Sequence, residues 1–283
     1  MKPAPFDYAR PSSLDEAISL LVGAEGEARP LAGGQSMGPM LNFRLARPTL
    51  LVDISRIEEL ATITEDPDGV NVGAAVTHAA IEDGAVADVA NGLIGRAASG
   101  IAYRAVRNRG TIGGSLAHAD PAADWPPVMM ALDAVIGVRG GGGAREVAAG
   151  ELATGVMTTT LAPGEIVASI RIPRLSAVAT WGHNKICAKP GDFANSLGVV
   201  VRDHGRGRCR AVIAGPSSPP IYLDGVARLI EDVDGWSEGL GVEIKDAAGT
   251  DIRAASFCDE SDRYAANLHS TVITRAAREA LSS

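Results

Sequence analysis

The sequence predicts a mixed α+β fold in two domains, and three observations carry that expectation. The chain has 283 residues, and roughly 150 residues per domain makes two. Apolar residues make up 46% and charged residues 21%, enough for sizeable cores and too few charges for wholesale disorder. Strand-like and helix-like segments follow one another without regular alternation, which favours α+β layers over a doubly wound parallel sheet. Near Leu175-Ser176-Ala177 the texture changes to successive strands, so a boundary is expected there, with domains at residues 1–176 and 177–283.

Ser13-Leu14-Asp15-Glu16 is a capping box, and Leu14, Ile18 and Leu21 then recur on one helical face until Gly23 ends it. Arg29 to Ala32 is a short strand that runs into Gly33-Gly34-Gln35-Ser36. Thr49 to Ile54 is β-branched and apolar, a buried strand, and Gly69 to Ala74 is another. Helices are expected over 77–89 and 92–99, followed by a polar glycine-rich loop, Gly110-Thr111-Ile112-Gly113-Gly114-Ser115. A short helix covers 124–132, with Pro126 and Pro127 near its first turn, where proline is tolerated. Segments 134–138 and 145–148 form a hairpin whose turn is Gly140 to Gly143, and 165–173 is an exposed strand ending in proline. Past the boundary, 181–187, 195–202 and 208–214 are strands, 216–220 is a loop, and 222–230 and 265–281 are helices. Leu268, Val272, Ala276 and Ala280 share one face of the last helix.

Composition excludes several functions. A net charge of -8 opposes binding to a phosphate backbone, which relies on clustered Lys and Arg. No run reaches the about 20 apolar residues of a membrane-spanning helix, and no apolar signal core follows Met1 to Phe6, so a cytoplasmic protein is expected. Cys187, Cys209 and Cys258 form no CxxC, and are read as reduced, mostly buried thiols. His78, His118, His183, His204 and His269 show no HExxH spacing, so no metal site is expected in this chain. Tyr8, Trp125, Trp181 and Trp236 are read as core or interface aromatics.

The chemistry concentrates in the two glycine loops. Each sets adjacent glycines after a strand and follows them with a hydroxyl: Gly33-Gly34-Gln35-Ser36, and Thr111-Ile112-Gly113-Gly114-Ser115. Glycine admits positive φ and close approach of a ligand, and consecutive N–H groups in such turns form anion-binding nests. Two of them could hold a diphosphate from two sides, with the hydroxyls of Ser36, Thr111 and Ser115 standing in for lysine. They are also readable as plain tight turns. Neither GxGxxG after a strand nor GxxxxGK[ST] occurs. Gly34-Gln35-Ser36-Met37-Gly38 does match the GxSxG nucleophile elbow, with Asp262 and His269 as nominal partners. Against that hydrolase reading, a parallel βα alternation is missing, and Pro39 stands where the following helix should begin.

With their flanks, these loops resemble the medium, FAD-binding subunit of molybdenum hydroxylases, the family of the carbon monoxide dehydrogenase flavoprotein and the xanthine dehydrogenase FAD domain. The resemblance rests on Pro30-Leu31-Ala32-Gly33-Gly34-Gln35-Ser36-Met37, on Arg44 to Pro48, on Leu51 to Ile54, on the long block from Val106 to Asp124, and on Lys185 with Gly191-Asp192-Phe193-Ala194. Phe6-Asp7-Tyr8 and Pro11 to Ala17 are similar to the family's start, so nearly the whole chain is covered. Ser115 stands where the family often has Asn, an Arg common shortly after the Lys185 position is absent, and 215–220 matches loosely.

The resemblance implies a two-lobed FAD-binding domain of the vanillyl-alcohol-oxidase (PCMH) type, followed by a smaller α+β flavoprotein C-terminal domain. It places Ala32, Gly33, Gly34, Gln35, Ser36 and Met37, and Thr111, Gly113, Gly114 and Ser115, in the cofactor loops. His118 and Asp120 follow in the same block, Asp124 matches an acidic residue near the ribityl chain, and Lys185, Phe193 and Ile101 match positions beside the flavin ring. On the residues alone, Asp124 also reads as a helix N-cap, Lys185 as a solvated strand lysine and His118 as a polar loop residue.

The resemblance further implies FAD in this chain, and a molybdopterin-type molybdenum cofactor and two [2Fe–2S] clusters in large and small partner subunits. The assembly implied is a dimer of heterotrimers, with electrons passing from the clusters through FAD to an external acceptor. A stand-alone flavin oxidase or dehydrogenase and a cofactor-free interaction module are the rivals.

Overall fold

The computed structural model describes residues 2–259 and 261–282. Three main sheets organise them. The first lobe holds β1 (Asp7–Ala9), α1 (Leu14–Val22), β2 (Ala28–Leu31), α2 (Met37–Asn42) and β3 (Leu50–Asp53). Its strands lie in the order β1-β3-β2 and are parallel. A regular βα alternation therefore does exist here. The sequence hides it because these strands are three or four residues long, and β2 includes Arg29 and Pro30. Ser13 caps α1 by accepting from the Glu16 amide at 3.2 Å, while the Glu16 carboxylate takes the Ser12 amide at 2.7 Å, one residue earlier than a capping box requires. Leu14, Ala17, Ile18 and Leu21 close a core with Val52 and Ile54.

The second lobe opens with β4 (Ile63–Asp66) and β5 (Gly69–Gly73). Five helices follow: α3 (His78–Glu82), α4 (Leu93–Ser99), α5 (Arg104–Arg107), α6 (Ile112–His118) and α7 (Trp125–Ala131). Then come β6 (Val135–Gly140), β7 (Gly143–Ala148), α8 (Ala149–Leu152), the small pair β8 (Ala153–Gly155) and β9 (Thr158–Thr159), and β10 (Ile166–Pro173). The sheet order is β4-β5-β10-β6-β7, all antiparallel. Several expectations are corrected. The helix expected over 77–89 stops at Glu82, because the chain turns at Gly84 with φ 82°. Strand β10 is not exposed; it is central, with Ile170 and Ile172 fully buried. Gly140 pairs with Gly143, so only Gly141 and Gly142 make the hairpin turn. The glycine loop expected over 110–115 becomes helix α6 from Ile112 onward.

The third unit is the antiparallel sheet β11 (Thr180–Ile186), β12 (Ser196–Asp203), β13 (Arg208–Gly215) and β14 (Ser218–Tyr222), then α9 (Asp224–Ile230), α10 (Glu238–Ala254) and α11 (Arg263–Leu281). The expected loop at 216–220 is largely β14, whose Pro219 and Pro220 are tolerated because the strand lies at the sheet edge. Helix α10 was not foreseen: Gly239, Gly241 and Gly249 weaken its signal, and its buried apolar stripe is only Ile244, Ala248 and Ile252. Strand β12 is buried at every position. Val200 joins Ala211 and Ile213 against α11, while Leu197, Val199 and Val201 join Val212 and Ala214 in one core with Trp125, Val128 and Met129 of α7. Among the described residues, no helix is long and apolar enough to cross a membrane.

Candidate cofactor-binding site

The two glycine loops meet. A Cβ on Gly33 would lie 1.9 Å from the Arg109 carbonyl oxygen, so the backbones touch there and only glycine fits. A Cβ on Gly114 would lie 3.7 Å from that of Ala32. Arg109 Nε also donates to the Gly33 carbonyl at 3.3 Å, and Gln35 Nε2 donates to the same oxygen at 3.2 Å. With the carbonyl of that peptide occupied from one side, the Gly34 N–H on its opposite edge is directed away. Gly34 has φ 73°, and a Cβ there would meet only Leu31 Cδ1 at 3.5 Å, an ordinary contact.

The loops differ in what they offer. Among the described residues, the amides of Gly33, Gly34, Gln35, Ser36 and Met37 meet no acceptor in the chain, and neither do the Ser36 and Ser115 hydroxyls. In the second loop most amides are engaged. Ile112 donates to Val76, Gly113 to Ala74, Gly114 to the Thr111 hydroxyl and Ser115 to the Thr111 carbonyl. Thr111 alone keeps a free amide there. The picture of two equal amide nests is thus corrected: the first loop supplies amides, the second one amide and two hydroxyls. A Cβ on Gly113 would lie 2.3 Å from Ala74 Cβ, which makes that glycine a packing requirement.

The second loop has a buried prop. His78 donates its amide to Gly110 at 2.9 Å, and Trp125 Nε1 donates to His78 Nδ1 at 3.0 Å. Burial holds the His78 imidazole down at about 4, so it is neutral and free to accept.

Helix α6 and the loop after it lead to a second cluster. His118 ends α6, half-buried, rather than lying in a loop. Asp120 folds its own turn, accepting from the Ala122 amide at 2.9 Å. Asp124 precedes α7 but makes no capping hydrogen bond. Its carboxylate instead grips Lys185 Nζ at 2.9 and 3.0 Å, with both side chains largely buried, so Lys185 is not a solvated strand lysine. Burial pushes the Asp124 carboxyl up, and Lys185 draws it part of the way back.

Ile101 is half-buried on the turn after α4, and Lys185 Nζ lies 3.4 Å from the Gly100 carbonyl of that turn. Phe193 is exposed on the β11–β12 loop, whose Ala194 amide donates to Ala122 at 3.2 Å. Beside this cluster is a cavity of about 520 Å³, with Gly100, Tyr103, Arg107, His183, Lys185 and Gly191 in its walls.

The nominal hydrolase partners lie elsewhere. His269 is bonded to Ser196 at 2.8 Å, and Asp262 caps α11. Two residues with no role foreseen from the sequence matter here, Arg109 and Arg107. Both stand in the 106–124 block, but nothing in their spacing marks which carbonyls they reach. Tyr8 is exposed and bonded to Asp53 rather than in a core. Of the cysteines only Cys209 is buried. Among the described residues, no group of three or more His, Cys, Asp or Glu could hold a metal ion.

The residues present fit a flavin dinucleotide: unbonded amides and hydroxyls suit a diphosphate, and a paired cation and carboxylate beside an apolar turn suit the ring end. The family model for the FAD-binding domain in molybdopterin dehydrogenase matches residues 4–175. The chain is 32% identical to the 6-hydroxypseudooxynicotine dehydrogenase complex subunit alpha of Paenarthrobacter nicotinovorans, covering 99% of this chain and 96% of that one. It is 37% identical to the carbon monoxide dehydrogenase medium chain of Afipia carboxidovorans, over 81% of each. Its fold superposes on a chain of the carbon monoxide dehydrogenase structure from Hydrogenophaga pseudoflava with a TM-score of 0.89 and 30% identity, covering 100% of this chain and 99% of that one.

Proposed function

The chain belongs to the family of FAD-binding domains of molybdopterin dehydrogenases, and from that premise we propose that it is the electron-transfer subunit of a heterotrimeric molybdenum hydroxylase. The observation that carries this reading is the run of unbonded amides from Gly33 to Met37, set against the free Thr111 amide and the Ser115 hydroxyl across a contact that only Gly33 permits.

FAD, when bound, supplies a redox centre that exchanges electrons singly or in pairs. The chain's own residues do the rest. Gly33, Gly34, Gln35, Ser36 and Met37 donate to the diphosphate from one side, and Thr111 and Ser115 from the other. Gly113 and Gly114 keep the second loop close, and Ala32 packs against it. His118, Asp120 and Asp124 line the path between the clusters, and Ile101, Lys185 and Phe193 border the ring.

In this reading a large subunit holds the molybdenum–pterin centre and a small one the two [2Fe–2S] clusters, in a cytoplasmic dimer of heterotrimers. This chain takes electrons from the clusters and passes them to an external acceptor. Residues 1–176 form the FAD-binding domain and 177–283 the C-terminal domain.

Titration of the purified chain with FAD tests the site. Wild type is expected to bind FAD and quench its fluorescence, and Gly34→Ala to bind much more weakly while staying folded. A colourless chain that refuses FAD would favour the cofactor-free module. Affinity purification from the native host tests the assembly: large and small subunits, molybdenum and iron should accompany the chain. Reduction of the isolated chain by an organic substrate would instead favour a stand-alone flavoenzyme.

A further inference from the structure

Three consecutive carbonyl oxygens, those of Gly100, Ile101 and Ala102, face cations. Lys185 Nζ approaches the first at 3.4 Å, and Arg107 Nη1 donates to the second and third at 2.9 and 3.0 Å. The rest of the guanidinium is held by Glu82, with Nε to Oε2 at 2.7 Å and Nη2 to Oε1 at 2.8 Å. The Arg107 and Glu82 side chains are 12% and 20% exposed, so these charge-assisted bonds are largely shielded from solvent. Arg107 is the residue suited to this work, because one rigid planar fork serves a carboxylate and two carbonyls at once.

The turn needs such a clamp. Neighbouring carbonyl dipoles pointing the same way repel. Ala102 has φ 42°, a left-handed conformation that strains a residue with a Cβ. The loop carrying Phe193 rests on this same turn: a Cβ on Gly191 would lie 2.6 Å from the Ala102 carbonyl oxygen. Within a peptide the C=O and N–H point in opposite directions. Pinning the Ile101 and Ala102 carbonyls therefore turns the Ala102 and Tyr103 amides to the far side, and among the described residues neither meets an acceptor in the chain.

We propose that Arg107, held by Glu82, is a positioning residue for the flavin ring. It fixes the 100–102 turn, and with it the Ile101 side chain, two oriented amide donors and the seat of the Phe193 loop. This rests on the reading that FAD occupies the site with its ring at the second cluster. Donors aimed at an electron-rich ring stabilise its reduced form, so loosening the clamp lowers the flavin potential without touching the diphosphate loops.

The test uses the full chain loaded with FAD, as wild type, Arg107→Met, Arg107→Lys and Glu82→Gln. Midpoint potential, the fine structure of the visible flavin band and the FAD dissociation constant are measured. Arg107→Met should lower the potential and blur the band while FAD affinity changes far less than in Gly34→Ala. Arg107→Lys should recover part of the shift, and Glu82→Gln should show a smaller shift in the same direction. Wild-type potential and band in Arg107→Met overturn the inference. Should that variant not fold, an unmoved potential and band in Arg107→Lys overturn it. Failure of the wild-type chain to take up FAD overturns the underlying reading, and this inference with it.

Discussion

Lys185 and Asp124 form a buried ion pair that joins strand β11 of the third unit to the start of α7 in the second, with Nζ 2.9 and 3.0 Å from the two carboxylate oxygens. The cation beside the proposed ring is therefore already matched by an anion. Lys185→Met should lower the flavin potential, because a carboxylate is left behind, and Asp124→Asn should raise it, because a cation is left unmatched. The double variant should fall between. Redox titration of the four FAD-loaded proteins checks this, and an unmoved potential in Lys185→Met removes Lys185 from the role.

The same pair sets a pH dependence. Asp124 has its pKa raised above 3.8 by burial, so the native state holds this proton more tightly than the unfolded chain, and that contribution, full below 3.8, is lost as pH rises through the raised value. Removing Lys185 raises the carboxyl further. Lys185→Met should thus be destabilised by about 3–5 kcal/mol near neutral pH, and by less in mild acid, where the carboxyl can protonate. Urea unfolding at both pH values reads the difference.

Three buried histidines act in the opposite direction. His78, His183 and His269 are each held at about 4 by burial, below the ordinary 6.5. The unfolded chain takes up protons that the native state refuses, so stability present above pH 6.5 is lost as pH falls towards 4. The limit is roughly 3 kcal/mol for each histidine. Denaturation midpoints should decline over that range, and His78→Gln should flatten the decline.

The glycines separate binding from folding. Gly34→Ala meets no close neighbour and should cost about 1–2 kcal/mol of backbone strain, with the loss falling on FAD affinity. Gly113→Ala would drive its Cβ to 2.3 Å from Ala74 Cβ, and overpacking of that kind costs about 1–3 kcal/mol or more. Thermal unfolding without FAD should rank Gly113→Ala well below Gly34→Ala.

Division of the chain at residue 176 should have a visible cost. Leu197, Val199, Val201, Val212 and Ala214 share a core with Trp125 and Met129 of α7. Residues 177–283 expressed alone should expose that face and aggregate, whereas co-expression with 1–176 should yield a soluble pair. A soluble, monomeric 177–283 fragment with native-like near-UV dichroism would show this shared core to be dispensable.

Much of this was legible in the amino-acid order. Helix α1 was marked by Ser13 and its apolar stripe, strands β11 to β13 by β-branched runs, and the two glycine pairs by composition and spacing. Helix α10 was not legible, because a helix whose helical signal is broken by three glycines relies on its neighbours for stability. Strand β14 was masked by prolines that only an edge position can accept.

What the sequence settled by itself was local: where Ser13 caps a helix, where Gly33 and Gly34 turn the chain, and which faces of α1 and the last helix are apolar. Only the folded chain decided which polar groups remain unsatisfied. The Gly33–Met37 amides are free because they lie in the turn before α2 and at its first residue, with no preceding helical turn to accept from them, while the Gly113 amide is taken by Ala74 from a distant strand end. Lys185 meets Asp124, and Arg107 meets Ile101 and Ala102, because sheets and helices far apart in sequence pack there. Hydrogen-bond partners across such separations depend on distance and direction in space, which no spacing along the chain encodes.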